Sequence, residues 1–393
     1  MRCNVVIQHR PIFTRADPKM LTVLQWVLIV LGVIAAAGTL LSLHGGSHWF
    51  VRLWDFPRVQ IATVAGASGV AYFLFFFRQR PLEWAFLAAV TACVLWQGRK
   101  IFPYTPLARV QVKKSEHPPL TPGDRSKRAT VRLVISNVLM ENRKHARLLE
   151  VLRQADADVI LAVETDDAWA RALEPLAESH PYVVRQPQNN YYGLMLFSRF
   201  PLIESRVEFM VQDDIPSVHA LFELPSGDRV LLHGLHPRPP EPIRDQDSTP
   251  RDAELVLMGT AIRDAPDAPT LVAGDLNDVA WSPTSELFLR LSGLLDPRIG
   301  RGFYNSFNAN NPIFRYPLDH VFHSNHFRLC ELRRLPHVGS DHFPMLVELS
   351  YEPDAVLEQP KTAEAPGDQE EAEEKIEREV EAAATGDDRP GRE

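Results

Sequence analysis

Cysteine is scarce in this chain of 393 residues, which has 3. Cys3 and Cys93 both precede residue 99, so Cys330 stands alone in everything that follows. That excludes a disulfide framework for the larger part of the protein, and cysteine usage says nothing about its compartment. Internal repeats are absent. Also absent is a strong basic stripe with interleaved aromatics, which speaks against binding of a long duplex. Charge is missing only locally: Met20–Leu43 and Val59–Phe77 contain no Asp, Glu, Lys or Arg.

Each charge-free run is long enough for the roughly 20 residues that cross a bilayer core. A buried helix of a soluble protein rarely runs that far without a charge. A third segment, 81–98, carries Glu83 near its start, where an interfacial position leaves a short usable span. Trp26, Trp84 and Trp96 near the span ends suit interfacial aromatic belts. The first run is too long for a cleavable signal peptide, and further spans follow it. Arg2, Arg10, Arg15 and Lys19 precede the first span, and Arg78 and Arg80 fill the loop before the third. The positive-inside rule puts both groups in the cytoplasm. Three crossings then deliver residue 99 onward to the periplasmic or extracellular face of a cell inner membrane, although Arg99, Lys100, Lys113 and Lys114 pull the other way.

The chain thus divides into a cytoplasmic N-terminus (1–19), a transmembrane anchor (20–98, with helices at 20–43, 59–77 and 81–98), a linker (99–128), a folded domain (129–352) and an acidic tail (353–393). The linker holds Pro103, Pro106, Pro118, Pro119 and Pro122 among scattered basic residues. From Asp354 to Glu393 there are 14 acidic and 5 basic residues, a net of −9 against −8 for the whole chain. Overall acidity therefore belongs to the tail and says little about a substrate. Few large apolar side chains occur there, so disorder is expected, apart from a charged helix around Gln369–Glu381.

What is present in the folded part is a series of short polar signatures, each closing an apolar run. They are Ser136-Asn137, Val163-Glu164-Thr165, Leu235-His236-Pro237, Gly274-Asp275-Leu276-Asn277-Asp278, Pro317-Leu318-Asp319-His320 and Gly339-Ser340-Asp341-His342. The runs Val131–Ile135, Val159–Val163, Val230–Leu235, Thr270–Ala273 and Met345–Leu349 are short and rich in β-branched residues, as buried strands are. A polar residue just beyond such a strand is held at the rim of a sheet, where ligands bind in α/β folds. Carboxylates, amides and imidazoles gathered there suit a hard divalent cation and a phosphate. Singly, each signature has a plain explanation: Asp-Leu-Asn-Asp is good turn chemistry, and Glu164 could be the first-turn acid of a following helix. All six in strand-end positions are much harder to attribute to chance.

With these motifs in place, the stretch from about Ala129 to Glu352 resembles the endonuclease/exonuclease/phosphatase superfamily, which includes pancreatic-type deoxyribonucleases, abasic-site endonucleases, sphingomyelinases and inositol-polyphosphate phosphatases. Gly193-Leu194-Met195-Leu196-Phe197-Ser198-Arg199-Phe200-Pro201 is similar to a strand signature of that family. The resemblance implies an α/β fold, a four-layer α/β sandwich of two packed mixed sheets, here preceded by the N-terminal helical anchor. It implies Mg²⁺, with Mn²⁺ as the substitute, held by Glu164 with Asn137 and Asp341. Asp275 would orient or deprotonate the attacking water, Asn277 would hold the phosphate, and His342, its tautomer fixed by Asp319, would be an acid-base group or phosphate clamp. His236 would contact the scissile phosphate.

The sequence departs from the nuclease branch at Asn189-Asn190-Tyr191-Tyr192-Gly193, where relatives carry an acidic partner for the first histidine. Tyr192 and Ser306 are candidate substrate contacts. Arg251 reads as a solvated residue at the start of a helix over 251–264, and His219, His233, His323, His326 and His337 as structural histidines. The architecture of three spans plus this domain resembles a membrane-bound branch that includes vancomycin/teicoplanin-resistance-associated proteins, which implies a lipid-carrier phosphate or pyrophosphate. A membrane-tethered nuclease is the alternative enzyme, with nucleic acid the weaker partner reading. A non-catalytic, membrane-held binding module is the alternative of another class, and the intact metal-and-histidine set argues against it.

Overall fold

The computed structural model describes residues 17–116, 129–240 and 247–385. The expected basic N-terminal segment with Arg2, Arg10 and Arg15, part of the linker, part of the Pro-rich loop after His236 and the end of the tail lie outside the described residues. Two compact units are present: 1–44 with 58–100, and 45–57 with 101–393.

The first unit is built from helices α1 (Pro18–Leu43), α3 (Arg58–Phe75) and α4 (Pro81–Ile101). All three are long and apolar enough to cross a membrane. Their packing inverts the rule of a soluble core. The inward residues of α1 are Gly32, Ala35, Gly38, Thr39 and Ser42, while Trp26 and Val30 face outward. Small residues let backbones approach, as helices in lipid do when apolar burial gives no advantage. A Cβ on Gly32 would stand 2.6 Å from the Phe86 ring. Thr39 Oγ1 lies 2.8 Å from Cys93 Sγ and accepts from Gln97 Nε2 at 3.0 Å, and Gln97 Oε1 accepts from Arg58 at 3.0 Å.

The second unit contains two mixed sheets. In one, strands β1 (Thr130–Asn137), β2 (Val159–Val163), β3 (Tyr182–Gln186), β4 (Leu194–Ser198), β10 (Phe327–Arg334) and β11 (Met345–Tyr351) run in the order β10-β11-β1-β2-β4-β3. The other is β5 (Leu202–Glu208), β6 (Ser217–Glu223), β7 (Arg229–Leu235), β8 (Thr270–Asp275) and β9 (Asp319–His323), in that order. The two-residue alternation of a strand sends Val131, Leu133 and Ile135 into the core between the sheets, with Val218, Leu232 and Leu271. Val134 and Ile160 point the other way, onto α5 (His145–Ala155) and α6 (Asp167–Leu173) through Leu148 and Trp169. On the far side Val272 and Phe322 meet α7 (Thr249–Asp264) and α8 (Pro283–Ser292) through Leu255 and Phe288. Helix, sheet, sheet, helix are the four layers expected.

Three expectations need correction. The acidic tail is not simply disordered: the charged helix expected around Gln369–Glu381 is present as α9 (Asp368–Thr385), and it lies against α7 and α8, burying Ala372, with Lys375 Nζ 3.2 Å from Asp252 and Arg290 paired to Asp368 at 2.8 Å. Its inward face is narrow, so average composition conceals it. The linker is not open either. Tyr104 and Val112 are buried, Tyr104 donates to the Ala280 carbonyl at 2.7 Å, and Lys114 bridges to Leu329. Arg251, far from solvated, is 1% exposed and bonded to Asp252 and to the Asn277 carbonyl.

Candidate active site

Both sheets present their functional residues at one edge. Asn137 ends β1 and pairs in register with Val163, the residue before Glu164. Asp275 ends β8, opposite Asp319 at the start of β9. His236 follows β7 directly. The alignment of β7 and β8 depends on Gly274, at φ +150°, where a Cβ would fall 1.8 Å from the Leu235 carbonyl oxygen. Glu164 and Asn277 themselves adopt φ of +60° and +51°. Asn tolerates that left-handed region; for Glu164 it is backbone strain of the kind found at functional sites.

The centre is a closed polar network. Asn137 Nδ2 donates to Glu164 Oε1 at 2.7 Å and to Asp275 Oδ2 at 3.0 Å, so one amide joins two carboxylates contributed by different sheets. His342 Nδ1 donates to Asp319 Oδ2 at 2.8 Å, leaving Nε2 facing Asp275 Oδ2 at 3.5 Å. Burial opposes a charge on His342, but Asp275 and Asp319 outweigh it and raise its pKa to about 10. His236 is buried beside the same Asp275, with Nε2 4.0 Å from Oδ2. Here burial prevails and lowers the pKa to about 4. Its Nδ1 has no hydrogen-bond partner among the described residues, in keeping with a chain that lacks the usual acidic partner near Tyr192. The Tyr192 ring is instead packed on His236, centroids 5.7 Å apart.

Glu164, Asp275, Asn277, Asp341 and His342 line one cleft of about 640 Å³. Asn137 lies directly beneath it through its two bonds. Ser306 is not brought to this cleft: it is fully buried, and its Oγ accepts the N–H groups of Leu318 and Asp319, at 3.3 and 3.1 Å. Its hydroxyl fixes the start of β9 and thereby Asp319. The Asn277 side chain donates to the Pro237 carbonyl at 2.9 Å and its backbone N–H to Asp275 Oδ1 at 3.0 Å, so it braces the His236 loop against Asp275.

Two donor sets are candidates for a cation here, one expected from the sequence and one that the geometry brings together. One is Glu164 with Asn137 and Asp341. The other is Asp275, Asp319 and His342, whose ligand atoms lie within 4.8 Å of one another. In the second, His342 Nδ1 pairs with Asp319 Oδ2, while Asp319 Oδ1 has no partner among the described residues. In the first, Glu164 accepts from Asn137 Nδ2 and, at 3.3 Å, from the Met140 N–H, and burial raises its pKa to about 7 against the help of the Asn137 hydrogen bond. A buried carboxylate among other acids is what a hard divalent ion would relieve, and carboxylate oxygen is donor chemistry such an ion takes, whereas Asn137 turns its Nδ2 to the carboxylates and its Oδ1 accepts the Leu139 N–H at 3.0 Å.

Sequence reasoning missed a whole wall of this cleft. Trp49, Leu53, Trp54, Phe56 and Pro57 line it, together with Phe314 and Tyr316. No local signal marks the first five, which sit 79 residues or more before Ser136, where the strand-end signatures begin.

A family model described as the Endonuclease/Exonuclease/phosphatase family matches residues 135–342, more than half of the chain. No curated protein matches. Among solved structures, the chain is similar to an endonuclease/exonuclease/phosphatase from Bacteroides vulgatus at 15% identity, covering 57% of this chain and 99% of that one, with a TM-score of 0.47. It is similar to the human Nocturnin catalytic domain at 16% identity, covering 57% and 95%, with a TM-score of 0.45. It is also similar to sphingomyelinase C from Streptomyces griseocarneus at 17% identity, covering 56% and 99%, with a TM-score of 0.41.

Proposed function

The chain belongs to the Endonuclease/Exonuclease/phosphatase family, and on that premise we propose that it is a membrane-held hydrolase that cleaves a phosphate ester or pyrophosphate by metal-assisted, in-line attack of water. Phosphoester hydrolysis is the family's chemistry. The observation that carries the finer reading is the Asn137 amide shared by Glu164 and Asp275, with His342 on the far side of Asp275. Glu164, supported by Asn137 and Asp341, would hold Mg²⁺ or Mn²⁺. The ion would neutralise the nonbridging oxygens of the phosphate and stabilise the departing one. Asp275 orients the water and accepts its proton. His342, kept cationic by Asp275 and Asp319, offers Nε2–H to the charge that develops on the phosphoryl oxygens. His236 is the lesser contact, neutral and without a partner at Nδ1.

The three helices support a substrate met at a bilayer, a lipid-linked phosphate, because tethering raises the effective concentration there. Three crossings from a basic, cytoplasmic N-terminus would set the catalytic unit on the periplasmic face. The test uses the purified full-length protein, a panel of lipid pyrophosphates, phosphodiesters, DNA and RNA, and Glu164→Gln. Hydrolysis should require added Mg²⁺, and the variant should lose turnover and metal response while keeping its melting temperature. Full activity in chelator would overturn the reading. A periplasm-specific reporter fused after Glu352 should be active; activity only of a cytoplasmic reporter would invert the topology.

A further inference from the structure

The segment between the first two candidate spans, 45–57, does not group with the helices it connects. It belongs to the catalytic unit. Its attachment there is specific. The Ser47 carbonyl accepts from Ser248 N at 2.9 Å and its hydroxyl donates to Asp247 at 2.6 Å. Arg52 and Asp55 form a buried pair at 3.2 Å, and the Asp55 carbonyl accepts Trp281 Nε1–H at 2.8 Å. Phe56 meets Tyr316 edge-on, ring centroids 5.5 Å apart. So anchored, the short helix α2 (Trp49–Arg52) and the turn after it extend the catalytic cleft with an apolar half. Leu53, Trp54 and Phe56 line that half with Phe307, Phe314 and Tyr316, and the acidic and histidine residues line the other.

Connectivity fixes where this apolar half lies relative to a membrane. Segment 45–57 follows one candidate crossing and residue 101 onward follows three, so both emerge on the same face whichever way the first helix enters. The segment runs from the end of one candidate crossing, Leu43, to the start of the next, Arg58. Leu53 and Phe314 are each 51% exposed, so the apolar half is open to entry and not a sealed core.

We propose that segment 45–57 is the specificity-determining wall of the active site, and that the apolar half of the cleft takes the first stretch of the hydrocarbon chain joined to the scissile phosphate. The substrate is then an amphiphile read at both ends, its phosphate by the polar edge of the sheets and its chain by segment 45–57 with Phe314 and Tyr316. This rests on the hydrolase reading only for the identity of the phosphate end. A wall that merely dipped into lipid would show no dependence on what is attached to a phosphate.

The experiment measures binding of radiolabelled ethyl phosphate and dodecyl phosphate to the full-length protein in nanodiscs with Mg²⁺, beside hydrolysis of bis(p-nitrophenyl) phosphate. Each methylene that leaves water is worth about fourfold in affinity. Dodecyl phosphate should therefore bind at least roughly tenfold more tightly than ethyl phosphate, even with few methylenes seated. Leu53→Glu combined with Phe314→Ala, both on the open rim, should bring that ratio close to one while the melting temperature holds. Equal binding of the two phosphates by the parent would overturn the proposal, and so would a ratio the double variant leaves intact. The phosphate-end reading fails separately, if the aryl diester is not cleaved, or is cleaved equally by Asp275→Asn.

Discussion

Two pairs of buried histidines lie within or just beyond the strands of this fold, and they have opposite electrostatics. His219 on β6 and His233 on β7 face each other across adjacent strands, Nδ1 to Nδ1 at 2.7 Å. His236 and His342 flank Asp275 at the sheet edge, with Nε2 at 4.0 and 3.5 Å. Burial lowers the pKa of His219 to about 4 and of His233 to about 3, and nothing nearby compensates fully. Within the second pair the two rings part company, His236 falling to about 4 and His342 rising to about 10. Desolvation acts on all four. What separates them is carboxylates: His342 has two within hydrogen-bonding range or just beyond, and the strand pair has, among the described residues, Glu208 alone, 3.4 Å from His219 Nε2. Burial alone therefore leaves an imidazole neutral in this protein, and a hydrogen-bonded acid at the strand end is what charges one.

The comparison breaks most sharply at Asp275. Asp275→Asn should reduce kcat about 10²–10⁴-fold with little change in KM, as loss of a group that acts mainly in the transition state does. His342→Ala should fall in the same range and His236→Ala should cost less. Steady-state kinetics on any cleaved substrate checks this, and equal losses at the two histidines would mean that His236 finds a partner after all. A smaller effect is expected from Asp319→Asn, which leaves His342 in place but loosens its tautomer. There kcat should drop roughly 10–100-fold, the scale at which removing a group that orients a functional histidine is felt.

The smallest effect falls on stability. His219 and His233 have folded pKa values below the ordinary 6.5, so the unfolded chain takes up protons first. Stability present above pH 6.5 is then lost as pH falls toward 4. From pH 6.5 to 5 that amounts to about 1–2 kcal/mol for each histidine. The double variant His219→Leu/His233→Leu should flatten the denaturation midpoint between pH 7.5 and 5 relative to the parent. An unchanged slope would show that the pair is not held neutral.

What the sequence made legible was whatever local pattern controls. Strand runs ending in Asn137, Glu164, His236 and Asp275 carry their own signal, because alternation and a polar stop are written within a few consecutive residues. The same holds for the three long apolar helices. Ser306 shows the limit: a hydroxyl beside an aromatic looks alike whether it points into a cleft or caps the backbone of Leu318 and Asp319. Arg251 and Lys375 look like surface cations and are buried by partners from elsewhere in the chain, the Asn277 carbonyl for Arg251 and Asp252 for Lys375. Segment 45–57 was illegible for the same reason: it reads as a short loop until the residues it docks on, Trp281 and Tyr316 among them, are in place.

Gly274 has a consequence for anyone reading this protein through saturation mutagenesis. The oxygen of Leu235 occupies the space a methyl would need, so Gly274→Ala must push β7 from β8. His236 and Asp275, each one residue farther along its strand, would drift out of alignment together. Such a variant can stay folded and still be silent in an assay. A fitness map would then score position 274 beside the acids and imidazoles of the cleft, although its side chain is a single hydrogen atom with no chemistry of its own.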